Sequence, residues 1–155
     1  MNGMSVVSRD STGSNVAGES PGGRVENEVE FRVAARLENL AVLRTLIAAV
    51  ATFEDLDMDS VADLRLAVDE ACTRLIRSAA PGATLVVVVH PLEHDLKIDA
   101  STTCTSSDIM APGSFSWHVL SSLTDEVTTF QDGQAVGGGG VFGISMTTRR
   151  VGSLR

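Results

Sequence analysis

The chain has 155 residues, 43% of them hydrophobic but only 4% aromatic, with one Trp, no Tyr and a formal charge of -8. That length is one domain, with a core built mostly of Val, Leu, Ala and Ile. The acidic balance, with a pI near 4.7, speaks against nucleic acid and against an anionic membrane surface, and suits a partner with a basic face.

Residues 1–26 are dominated by Ser, Gly and Asn and read as a disordered tail, which leaves 27–150 as the domain and 151–155 as a flexible end. Val29-Glu30-Phe31-Arg32-Val33 alternates as a half-buried strand does. A helix follows over 37–53, where Leu37, Leu40, Ala41, Leu43, Ile47 and Val50 recur at helical spacing. Residues 54–57 break it. Asp59 or Ser60 then caps a second helix over 58–79, with Asp63 adding negative charge to its first turn. Val61, Leu64, Val68, Ala71, Leu75 and Ile76 form its inward stripe, and Pro81-Gly82 ends it.

The β-branched run over 84–90 reads as a strand buried on both faces. It pairs with the alternating segment 95–100 across a turn at 91–94. Residues 101–112 are polar and small, hence a loop. A third helix is expected over 114–123, with Phe115, Val119 and Leu123 on its inner side. Residues 125–130 and 141–148 read as the last two strands, joined by a segment that ends in the four glycines 137–140. Hairpin-linked strands with helices gathered on one face make an α+β fold: a two-layer α/β sandwich with a mixed, mostly antiparallel sheet.

The second helix carries the chemistry. Glu70 and, one turn later, Arg74 interrupt an otherwise apolar helix. Such a spacing suits an ion pair, and the arginine fork equally suits a phosphate. Ser114 and Ser116 stand at the start of the third helix, where hydroxyls either cap or donate to phosphate oxygens. The glycines 137–140 open no helix and read as a hairpin loop, not a phosphate cradle. Cys72 falls on an inward position and is structural. Cys104 falls in the polar loop and is a candidate redox-sensitive thiol. Two widely spaced thiols, no secretory signal and no apolar run near the ~20 residues of a membrane span point to the cytoplasm. His90, His94 and His118 lack metal-ligand spacing and read as strand-end or surface residues. Trp117 is either a partner anchor or core filling.

Two segments, LRLAVDEACTRLI (64–76) and PGSFSWHVLSSLTDEVTTF (112–130), in this order of elements, resemble the GHKL (Bergerat) ATPase fold. More narrowly the chain is similar to the anti-sigma-factor kinases of the RsbW and SpoIIAB type, in their actinobacterial anti-sigma-F branch. The resemblance covers about residues 28–150. It implies a homodimer that sequesters an alternative sigma factor of the sigma-F or sigma-B kind and yields it to an anti-anti-sigma STAS protein, with no direct DNA binding. The alternative it implies is a protein serine kinase that phosphorylates the STAS antagonist with ATP and Mg²⁺.

Carried onto this sequence, the resemblance makes Glu70 the catalytic carboxylate. Arg74 takes the place of the family's magnesium-holding Asn, although magnesium takes oxygen ligands and arginine has none. Asp99 lies near the adenine-binding Asp but lacks its glycines, and Gly113 with Ser114 represents the phosphate loop. The resemblance thus implies a nucleotide set of Arg74, Asp99, Gly113 and Ser114. It places partner contacts at Arg36, Leu37, Asn39, Leu40, Leu43 and Arg44.

Overall fold

The strongest signal in the chain, the valine run, becomes the third of six strands and organises the sheet around itself. In the computed structural model, which describes residues 3, 5–10, 27–106, 109–132 and 140–150, the strands are β1 (Ser5–Asp10), β2 (Asn27–Ala34), β3 (Thr84–Pro91), β4 (Asp95–Cys104), β5 (Glu126–Asp132) and β6 (Gly140–Arg149). Their order across the sheet is β1-β2-β3-β4-β6-β5. Every pairing among the described residues is antiparallel, where a mixed sheet was expected. The helices are α1 (Leu40–Phe53), entered through a short 3-10 turn at Leu37–Asn39, α2 (Met58–Ser78) and α3 (Phe115–Leu123). α2 packs on β3, β4 and β6, with α1 and α3 on its flanks.

The two sheet faces are unlike. Leu85, Val87 and Val89 of β3 and Leu96, Ile98 and Ala100 of β4 are fully buried under the helices. Val86, Val88 and His90 alternate with them on the outer face and are only half-buried. Burial of β3 on both faces is therefore corrected to burial on one, because the helices form a single layer. From α2, seven side chains enter the core: Leu64, Ala67, Val68, Ala71, Cys72, Leu75 and Ile76. Each fully buried Leu or Ile there contributes about 1.5–3 kcal/mol.

Several boundaries differ from expectation for identifiable reasons. Asp57, not Asp59 or Ser60, caps α2: its carboxylate accepts the Ser60 amide at 2.7 Å, and Asp59 supplies the first-turn charge. β4 runs on to Cys104 through the expected loop, because β6 stays paired with it as far as Gly140 and a ladder needs only backbone groups. Residues 5–10 fall inside the expected disordered tail. They form β1 along the free edge of β2, with Val6 half exposed. Of the connection expected at 131–140, residues 131 and 132 belong to β5 and Gly140 to β6, and residues 133–139, like the C-terminal residues 151–155, lie outside the described residues.

α3 presents a different side from the one hydropathy predicts. Phe115 is 81% exposed, whereas Ser116 and Leu120 are buried. A serine displaces a phenylalanine from the interior because it has hydrogen-bond partners waiting on α2.

Candidate functional site

Those partners are Glu70 and Arg74. The Ser116 hydroxyl donates to Glu70 Oε1 at 2.7 Å and accepts from Arg74 Nε at 2.7 Å. The two charges of α2 therefore meet through Ser116 and not as the direct ion pair that their spacing suggests. Ser116 is itself only 2% exposed, while Glu70 and Arg74 are half-buried. Such charge-assisted bonds are the strong kind. The guanidinium has further capacity: Nε is committed to Ser116, while its two Nη nitrogens have no partner among the described residues.

The entry to α3 is built by two neighbours of Ser116. Gly113 takes φ +87°, a left-handed conformation that any side chain would strain, and it turns the chain into the helix. The Ser114 hydroxyl accepts the Trp117 amide at 3.3 Å and so serves as the N-cap. Trp117 is half-buried and packs against the core. Glu70, Arg74, Gly113 and Ser114 are thus brought together around Ser116.

Asp99 is not. It lies within β4, on the sheet face away from α2, opposite Val88 and Ser145. It accepts from Ser145 at 2.6 Å and faces His90 Nε2 at 3.0 Å. Burial alone would raise its carboxyl. The hydrogen bonds from His90 and Ser145, with Lys97 nearby, outweigh burial and hold it below the usual aspartate range. Asp99 thus stands apart from the Glu70–Ser116–Arg74 group and belongs to an outer-face network. His90, expected at the surface, joins it from β3 and reaches Glu28 on β2 with its other ring nitrogen at 3.1 Å.

The remaining expectations sort by burial. Leu43 is 1% exposed and belongs to the core. Leu40 is partly buried against the same core. Asn39 donates its side-chain amide to the Ala34 carbonyl. Arg44 is held by Asp69 of α2 at 2.6 Å, an inter-helix tie that sequence periodicity could not reveal. Arg36 and Leu37 stay exposed. Cys104 moves from a polar loop to a strand end 1% exposed, where burial pushes its thiol up. A buried, protonated thiol is a poor redox sensor. Cys72 is structural as expected, and burial pushes its thiol up to about 12.

The donor set does not fit a magnesium-bound nucleotide. Glu70 is one carboxylate and already bonded, and Arg74 has no oxygen. Among the described residues no three His, Cys, Asp or Glu side chains gather to hold a metal ion. None of the described helices is long and apolar enough to cross a membrane.

Residues 33–108 match the histidine kinase-like ATPase domain. Two relatives, both named anti-sigma-F factor RsbW and found in Mycobacterium tuberculosis strains CDC 1551 / Oshkosh and ATCC 25618 / H37Rv, are each 62% identical over 128 residues. The match covers 82% of this chain and 76% of each relative. With three helices layered on one face of an antiparallel sheet, this chain belongs to the RsbW family of anti-sigma factors, on a GHKL-type ATPase fold.

Proposed function

We propose that this chain is an anti-sigma factor that holds an alternative sigma factor of the sigma-F kind away from RNA polymerase. The observation that carries the reading is the 62% identity to proteins named anti-sigma-F factor. The net charge of -8 adds to it, since an acidic domain is suited to a basic helical partner. The working unit on this reading is a cytoplasmic homodimer, and an anti-anti-sigma STAS protein competes for it. The partner face is the N-terminal end of α1, where Arg36 and Leu37 are exposed and Val42 is 40% exposed. Leu43 and Arg44 act behind that face, one by packing and the other through Asp69.

The kinase reading, with ATP and Mg²⁺, rests on the match to the histidine kinase-like ATPase domain and on Glu70. A catalytic base must reach the attacking hydroxyl of its substrate, and here Ser116 occupies one of its oxygens. The test is binding of the purified chain to purified alternative sigma factors by native mass spectrometry and interferometry, followed by transcription from a promoter that each sigma factor reads. Complex formation with dose-dependent loss of transcript is expected. A folded chain that binds none of them and leaves transcription untouched would sink the proposal.

A further inference from the structure

We propose that the α2–α3 site works without a divalent metal, with Arg74 supplying the positive charge that a bound cation would bring and Ser116 fixing the guanidinium in place. By the resemblance, Arg74 stands in the place of an asparagine that holds magnesium. The chain puts a permanent cation there. A guanidinium is not deprotonated in proteins, so its charge is present at every working pH.

Three observations support the assignment. Arg74 is not a free surface side chain: Nε is bonded to the 2%-exposed Ser116 hydroxyl, which orients the planar fork. Its Nη edge carries no hydrogen bond to any described residue, which leaves two parallel donors of the kind that match phosphate oxygens. And the charge of Glu70 is already balanced by Arg74 through one neutral hydroxyl. A divalent ion entering beside Glu70 would stand against the guanidinium across that one hydroxyl. The ligand class is therefore a phosphate-bearing anion, such as a nucleotide, taken without metal. Ser116 is a positioning residue in this arrangement.

The probe is ATP, titrated calorimetrically into the full chain in EDTA and again in excess Mg²⁺. In excess Mg²⁺ nearly all ATP carries the metal, so the apparent affinity of the wild type should fall about tenfold or more relative to EDTA. The Arg74→Asn variant restores an oxygen ligand, and its ATP affinity should rise at least tenfold on going from EDTA to Mg²⁺. A second readout is independent of affinity: Mn²⁺ added with ATP should leave the amide resonances of α2 and the start of α3 sharp in the wild type and broaden them in the variant. Binding of the wild type as tight in Mg²⁺ as in EDTA, or tighter, overturns the inference, as does Mn²⁺ broadening of its α2. Failure of the wild type to bind ATP in either buffer overturns it too, because Arg74 would then be only a structural tie. A variant that stays metal-blind contradicts the role given to Arg74. None of these outcomes depends on whether the chain grips a sigma factor, which is scored separately.

Discussion

Replacing His90 with Gln is expected to lower stability most at acidic to neutral pH and progressively less as the solution becomes alkaline. The imidazole is flanked by carboxylates on both sides, Glu28 at 3.1 Å from Nδ1 and Asp99 at 3.0 Å from Nε2. A neutral ring owns one N–H and serves one of them, whereas the imidazolium serves both. The Asp99 bond is the main reason the His90 pKa lies above its ordinary 6.5; burial opposes it and Glu28 adds to it. Other charges on this face include Lys97, 3.8 Å from the same Asp99 carboxylate, the Arg32–Glu30 pair, and Asp95 and Arg149 at the far end of β4 and β6. A folded-state value above the unfolded one fixes the sign. Stability from the cation is fully present below 6.5 and fades as pH rises through the raised value.

Two charged hydrogen bonds at about 1.5–3 kcal/mol each bound the gain. With the imidazole 23% exposed, solvent screening reduces the sum, and we expect about 2 kcal/mol. For a chain of this size that is a fall in Tm of roughly 4–8 °C. Thermal unfolding of wild type and His90→Gln, followed by circular dichroism from pH 6 upward, measures it. A deficit that is the same across the whole series would refute the assignment, because it would reflect packing without proton linkage. On the acid side Asp99, held below its usual range, keeps its contribution down to about pH 3.8 and loses it only in stronger acid.

Two further outcomes are expected. A Cβ on Gly143 would lie 2.0 Å from the tip of the Phe130 ring, which crosses that position on the outer face. Gly143→Ala should therefore cost about 1–3 kcal/mol in denaturant unfolding, and the added Phe130→Ala change should make the alanine at 143 nearly neutral. Cys72 and Cys104 are both buried, with thiols raised by desolvation. Neither should react with a thiol reagent at pH 8 until the chain unfolds; prompt titration of one thiol in the native protein would contradict their placement.

The backbone plan was legible because it rests on periodicity and punctuation. The valine run, the stripe of α2 and the Pro81-Gly82 stop are local signals, and the structure places elements where they point. What was hidden depends on partners far apart in sequence. Ser116 looks like a polar interruption of α3 until Glu70, 46 positions away, is set beside it. Asp99 looked like a ligand residue because its neighbours in sequence resemble a motif. Its side chain is assigned by strand alternation, and in β4 that parity turns it away from α2. The burial of Cys104 follows from the same parity once β4 is allowed to run four residues longer, and only β6 pairing supplies that length. Arg44 and Asp69 each read as solvated charges on their own helices, and they meet only when α1 lies against α2.

That last pair and the Ser116 bridge share a logic. α2 carries three chemical assets, Asp69, Glu70 and, a turn on, Arg74. Asp69 is spent on α1 through Arg44, and the other two on α3 through Ser116. The helix therefore binds the sheet by its apolar stripe and binds its two flanking helices by its charges. A metal-dependent transferase needs the opposite arrangement, with the glutamate free to meet a substrate hydroxyl and an oxygen donor one turn later. Exchanging that donor for an arginine changes more than ligation. It gives α2 a cation able to hold a serine of α3, so the same residues that would have opened a metal site instead tie the helix layer together. On the inference drawn above, a phosphate group reaching Arg74 meets a guanidinium already oriented by Ser116, with no cation to recruit.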